Sequence, residues 1–326
     1  MARAAPWLVL LFVSLMASGS FVMIKYLNGF VTPVELFLLR FLPASIAAII
    51  LILIFYRKAS MEIAPRYWWY FLGREFIAVM GFHFTLIYAE SVLPAGASAM
   101  VVGAWPVMTI FIAWPFLGEK MTIRKIGGAL LAFAGVALVV ILGAEEEASS
   151  YNISPSTWIR YSLILLIAPL SAAIVTVISR WYLNRNDGSE LPDSIVFALF
   201  CRAPSGLFAL LLYLVFKPSE PLTVTLSGLP NLFWILVGVL SLYNTLFGFW
   251  LFNWALQRIE AGNVASFNYI QTLFALLIAW VFLAEPLNWV KVTGAIAIVA
   301  GVLITNLGRW PTMRAGGKIQ YSPSDT

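Results

Sequence analysis

AGASAM at residues 95–100, IAWPFLGEK at 112–120 and KIGGALLAFAGV at 125–136 return 166 positions later. The second copies read AGNVAS at 261–266, IAWVFLAEP at 278–286 and KVTGAIAIVAGV at 291–302. An ungapped pairing of Ala95–Val136 with Ala261–Val302 gives 15 identities in 42 positions, among them Trp114/Trp280, Glu119/Glu285, Lys125/Lys291 and Gly135/Gly301. Apolar composition alone produces chance matches between Leu, Ile and Val, but not a Glu, a Lys and glycines in register. A repeat of this length dictates the architecture, so the chain reads as one unit used twice.

Composition names the solvent. The chain is 61% hydrophobic and 11% charged, with mean hydropathy +0.91, against about 25% charged in a soluble domain. Lipid surrounds such a chain, and its net charge of +5 marks membrane ends rather than a nucleic-acid surface. One cysteine, Cys201, excludes an internal disulfide, and one histidine, His83, excludes a histidine-cluster metal site. No metal or cofactor is expected.

A hydrocarbon core about 30 Å thick needs roughly 20 apolar residues per helix. Ten stretches qualify: 7–27, 34–56, 67–89, 95–117, 123–143, 157–183, 194–216, 230–256, 262–283 and 289–307. The expected fold is all-α, ten transmembrane helices in two five-helix repeats over 1–143 and 157–307, with an outside linker at 144–156. Residues 308–326 are polar and read as a disordered cytoplasmic tail. The first apolar stretch resembles a signal peptide, yet its SLMASGSFVMIKYLN echoes the internal PLSAAIVTVISRWYLN, so it reads as a retained helix.

Counting Lys and Arg with the N-terminus inside places thirteen on the cytoplasmic side and four outside, namely Lys25, Arg160, Lys217 and Lys291. Both termini are therefore expected in the cytoplasm. Five helices per repeat is odd, so the second copy enters the membrane inverted, the arrangement by which many secondary transporters place a substrate site near the midplane between their halves.

Ser18-Gly19-Ser20-Phe21-Val22, Glu35-Leu36 with Arg40-Phe41, and the paired Gly118-Glu119…Gly128…Gly135 and Ala284-Glu285…Gly294…Gly301 together resemble the drug/metabolite transporter superfamily, in its EamA branch of ten-helix transporters. The resemblance covers residues 7–307. It implies a cavity lined mainly by helices 1, 3, 4, 6, 8 and 9, helices 5 and 10 set to the side, and export or exchange of small metabolites such as amino acids. This chain departs from common patterns of that branch in carrying Arg74, Glu75 and His83 in helix 3.

Intramembrane charge is expensive and marks pathways by default. On a regular helix Glu75 shares a face with Val79, Phe82/His83, Leu86 and Glu90, whereas Arg74 shares the adjoining face with Ala78, Gly81, Thr85 and Tyr88. That geometry sets Arg74 about 100° away from Glu75 (3.6 residues per turn) and makes them poor partners. Glu75 then either binds a cationic substrate group, exchanges a proton, or pairs with another helix. His83 either relays protons or hydrogen-bonds a neighbouring helix. Arg40 and Arg202 hold comparable places in LLRFLPAS and LFCRAPSG. Arg40 reads as a two-pronged donor to a carboxylate, or as a structural donor near the surface.

Gln271 matches Trp105 under the 166-residue shift, and an amide facing a ring suits a small-molecule site. Asn268, Asn244 and Trp250 extend the candidate substrate set, with Tyr88 and Arg40. Trp105-Pro106 and Ala168-Pro169 predict kinks; Gly128-xxx-Ala132 and Ala297-xxx-Gly301 predict close packing of helices 5 and 10. Glu119 and Glu285 read as caps of the following helix or partners of Lys125 and Lys291. The function expected is a secondary active exporter of a small amphiphilic or zwitterionic, amino-acid-like metabolite, working by alternating access and open to proton coupling. No phosphate-binding G-x-x-x-x-G-K-[ST] loop occurs, and no nucleophile–base pair suggests an enzyme. A non-transporting receptor or assembly subunit is the alternative. The expected setting is a plasma membrane, the bacterial inner membrane, with lipid and substrate as partners and a monomer or homodimer as the assembly.

Overall fold

The computed structural model describes residues 5–58, 66–118, 121–183, 193–216, 226, 228–259, 264 and 268–306. Every regular element among them is helical. In chain order these are α1 (Ala5–Leu27), α2 (Pro33–Phe55), α3 (Tyr67–Glu90), α4 (Ala95–Leu117), α5 (Ile123–Ser150), α6 (Pro155–Leu183), α7 (Ser194–Phe216), α8 (Asn231–Leu256), α9 (Asn268–Leu283) and α10 (Trp289–Asn306). The first eight are long and apolar enough to cross a membrane, and α9 and α10 contain shorter apolar stretches, Ile270–Leu283 and Trp289–Gly301. Large apolar side chains stand outward, as at Phe116 (74% exposed), Val215 (77%) and Phe282 (75%), as lipid contact requires.

Local chemistry sets the helix ends. Thr32 and Glu35 form a reciprocal capping box at the start of α2, with Thr32 N–H donating to Glu35 Oε2 at 2.8 Å. The Glu of the Glu35…Arg40 motif is thus a cap. The stretch 144–156 is helical through Ser150 rather than a linker, because nothing breaks the helix before Asn152, whose φ is 55°. Ser154 then caps α6, accepting from Thr157 N–H.

Both expected kinks occur. α4 is interrupted between Val102 and Trp105, and α6 at Leu166. α7 breaks as well, at Ala203-Pro204, where Pro204 has no N–H to give. Two segments are π-helical: Ile77–Phe84 in α3 and Val239–Gly248 in α8. Such segments are rare and gather at functional sites. A threonine hydroxyl donates five residues back at each, Thr85 just past the first to Met80 O at 3.2 Å and Thr245 within the second to Leu240 O at 2.8 Å.

The packing repeats itself across the two halves. α2 packs on α7 and α5 on α10; α1 packs on α9 as α4 packs on α6, and α1 on α8 as α6 on α3. Exchanging the halves maps this set of contacts onto itself. At the α5–α10 seam a Cβ on Gly301 would stand 2.4 Å from Gly128 O, and one on Gly135 2.8 Å from Gly294 O. Glycine is required there by close backbone approach.

A Gly301→Leu variant is therefore expected to separate α5 from α10, at a cost of about 1–3 kcal/mol or more from overpacking. Thermal unfolding of the detergent-purified protein should show a lowered midpoint. Gly127→Ala, where nothing lies within 4 Å of the new Cβ, should leave the midpoint unchanged.

Candidate functional site

A cavity of about 150 Å³ lies between the two halves, lined from α1, α2, α3, α4, α6, α7, α8 and α9. Since one water needs ~10–15 Å³ on this measure, the space holds roughly ten water-sized groups, the scale of a small metabolite. Its apolar wall includes Phe21, Phe82, Trp105, Phe249 and Phe252. Phe82 and Phe252 flank Trp105, each 5.9 Å away between ring centroids. The polar wall includes Arg40, Arg74, His83, Arg202, Asn244 and Gln271.

A charged cluster backs one side. Glu75, with 0% exposure, accepts from Arg74 Nη1 at 2.8 Å and from Arg202 Nη1 at 2.5 Å, one arginine to each carboxylate oxygen. The Phe249 ring centroid lies 3.9 Å from the Arg202 guanidinium carbon and 4.7 Å from that of Arg74, so both cations rest on one aromatic ring. Arg74 Nε also donates to Ser179 Oγ at 3.1 Å, reaching α6. Arg202 Nε donates to Thr245 O at 2.9 Å, and Arg40 Nε to Thr245 Oγ1 at 3.0 Å. One threonine in the π segment of α8 thus anchors an arginine from α2 and another from α7.

Neighbours in sequence, Arg74 and Glu75 pair after all. The guanidinium chain is long enough to cross the intervening angle, and Arg202 fixes the carboxylate from the far side. Glu75 is absent from the cavity wall and serves as counter-ion to two arginines. Arg40 is an interior donor rather than a surface one, at 4% exposure.

Trp105, Gln271, Asn244, Arg40, Arg74 and His83 come together around the cavity. His83 packs between Phe41 and Phe82, 5.0 and 4.8 Å away between ring centroids. Tyr88 lies outside, stacked on Tyr161 at 5.3 Å, and Trp250 sits edge-on to Phe247 at 5.4 Å. Asn268 opens α9, but its side chain lies outside the described residues, as do Glu119 and the tail from 307. Sequence reasoning passed over Thr245, noted Phe249 only as the counterpart of His83, and left Arg202 out of the candidate set. Its pairing with Arg40 in related motifs was the available signal.

Glu285 does not cap the helix that follows it. Its two oxygens accept from Ala95 N–H at 2.7 Å and Gly96 N–H at 2.9 Å, the first turn of α4 in the other half. A carboxylate at a helix start satisfies orphan donors and complements the dipole. Lys291 stands 3.8 Å from Glu285 as its counter-charge. Nearby, Lys25 Nζ donates to the backbone carbonyls of Glu90 at 3.0 Å and Val92 at 3.3 Å. No group of three or more His, Cys, Asp or Glu suited to a metal ion occurs among the described residues.

Comparison with known proteins matches the EamA-like transporter family twice, over residues 5–141 and 159–307. An uncharacterized transporter of Archaeoglobus fulgidus is 25% identical over 91% of this chain and 97% of its own. The uncharacterized transporter YcxC of Bacillus subtilis is 27% identical over 69% of this chain and 67% of its own. A protein named a probable terminal-alkyne amino-acid exporter, from Streptantibioticus cattleyicolor, is 25% identical over 69% of each. One crystal structure shares the fold with a TM-score of 0.66 at 20% identity, over 94% of this chain and 98% of that one.

Glu75→Gln should leave two buried guanidiniums facing each other without their counter-ion, a loss of about 3–5 kcal/mol. The thermal midpoint in detergent should fall for Glu75→Gln and for Arg202→Gln. In the double variant it should fall by clearly less than the sum, since the two changes act on one network. Strictly additive losses would show that the three residues do not act as a unit.

Proposed function

The chain belongs to the EamA-like transporter family, and from that premise we propose a secondary active transporter that exports a small amphiphilic or zwitterionic, amino-acid-like metabolite. In this reading it works by alternating access, through the cavity between two inverted five-helix halves, with α9 and α10 completing ten spans and both termini in the cytoplasm. It does no covalent chemistry on its cargo.

One observation carries the reading: two pairs of positions where the copies differ come together at the cavity. Trp105 corresponds to Gln271, and His83 to Phe249, and all four line it. The matched Glu285 instead ties one half to the other at a helix start. A duplicated scaffold supplies two related half-cycles, while divergent cavity residues supply selectivity. The wall fits that division, with aromatic and aliphatic surfaces for binding and a few polar groups for orientation. The relative named as an amino-acid exporter supports the size and class of cargo.

Purified protein in liposomes should catalyse counterflow of a radiolabelled small metabolite from an amino-acid and organic-acid panel. Trp105→Ala should abolish that exchange by removing the largest aromatic wall. Trp114→Ala, on the same helix but 53% exposed, should retain it. An inert protein across the whole panel would support the receptor reading instead.

A further inference from the structure

The charge of the cavity wall narrows the class of cargo, an inference that rests on the transport reading above. Among the described residues, three arginines line the cavity, Arg40, Arg74 and Arg202, and no aspartate or glutamate does. The carboxylate behind them, Glu75, is occupied on one oxygen by Arg74 and on the other by Arg202. Three arginines less one glutamate leave two positive charges in excess beside a largely apolar space. Glu90, further along α3, is fully buried off the cavity wall; its charge acts on Arg40 without bonding it.

Arg40, unlike Arg74 and Arg202, makes no bond to Glu75. Its Nε donates to the neutral Thr245 hydroxyl, and its buried Nη1 has no hydrogen-bond partner. Two neutral donors on other cavity-lining residues share that condition, Trp105 Nε1 from α4 and Asn244 Nδ2 from α8. Guanidinium and indole N–H groups only donate. Buried donors are almost always satisfied, and a buried charge without a partner is costly. These three each lack an acceptor; a fourth unpartnered atom on the wall, His83 Nδ1, either donates or accepts. An oxyanion supplies acceptors and negative charge together, and guanidinium binds a carboxylate with two parallel bonds.

We propose that the cargo is a net organic anion, with a free carboxylate on an apolar body and no ammonium group to offset it. Arg40 holds the carboxylate, with Trp105 and Asn244 as neutral donors, and the aromatic wall takes the body. A zwitterion is disfavoured because its ammonium would enter a wall that offers excess cations and no carboxylate.

Four compounds on one body separate the possibilities: 3-phenylpropanoate, phenylalanine, 3-phenylpropanamide and phenylalanine methyl ester, with octanoate and octanamide as an aliphatic pair. Thermal stabilisation of the full chain in detergent reads binding by mass action, and counterflow in proteoliposomes reads transport. At least one carboxylate should bind roughly tenfold or more tightly than its amide and than the zwitterion, the difference of one charge-assisted bond. Trp105→Phe keeps a ring but removes the N–H, and Arg40→Gln removes the charge. Each should weaken carboxylate binding by roughly tenfold while leaving amide binding near its starting value. Net uptake of the anion should also respond to an imposed membrane potential. Binding that prefers phenylalanine, treats acid and amide alike, or includes no carboxylate would overturn the proposal, as would Trp105→Phe without effect should Arg40→Gln fail to fold. Carboxylate-selective binding without counterflow would instead overturn the transport reading alone. Counterflow blind to charge would overturn this inference alone.

Discussion

The carboxylate of Glu75, held between two guanidiniums, is the interaction on which the interior depends. Three charges inside an apolar bundle are tolerable only when each is paired and hydrogen-bonded, and the partners come from separate helices. Arg74 reaches α6 through Ser179, Arg202 reaches the backbone of α8, and Phe249 of α8 lies against both cations. The π segment of α8 makes this possible. Thr245 bonds five residues back through its hydroxyl, accepts Arg40 on that same oxygen, and gives its carbonyl to Arg202. A regular helix would commit that carbonyl to the residue four positions on. Cluster, π segment and cavity wall are therefore one construction.

Duplication provides the frame and divergence the contents. The packing pairs survive exchange of the halves, including the glycine-to-carbonyl contacts of α5 and α10. Glu75, however, corresponds to Ser241, so only one half brings a carboxylate to the cluster. Arg74 likewise corresponds to Leu240, so the second half repeats neither member of that ion pair. The charged cluster beside the cavity is thus a product of divergence between the copies.

Much of this was legible in the sequence because the bilayer allows few solutions. Span lengths, the repeat, the kinks at Trp105-Pro106 and Ala168-Pro169 and the glycine seam all follow from strong local rules. Opposing Trp105 and Gln271 needed only the register of the repeat. What escaped was the phase of α3 and α8. A regular 3.6-residue period carries the face of Arg74 and Ala78 on to Gly81, Thr85 and Tyr88. The cavity face instead runs Arg74, Ala78, Phe82 with His83, and Leu86, because Ile77–Phe84 is π-helical and has more residues per turn. Tyr88 is carried out of the cavity by that phase shift. In α8 the π segment ends at Gly248, and Gly248, Phe249 and Phe252 line the space whereas Trp250 does not. Nothing in the apolar composition of either segment announces the change of pitch. The pairing of Glu75 was hidden for a related reason: its second arginine lies 127 residues away, and only the fold brings it near.

The cross-half cap of Glu285 bears on how such a cavity opens. It joins the loop after α9 to the first turn of α4, so any rocking of one half against the other acts on it directly. Both linkages are buried and both hold charge: Glu285 has Lys291 beside it, and Glu75 has its two arginines. Parting either one leaves a carboxylate and a cation without their partners, a desolvation cost that only entering water would offset. The halves are thus tied at two separate places by the same physics, a carboxylate whose two oxygens are both occupied.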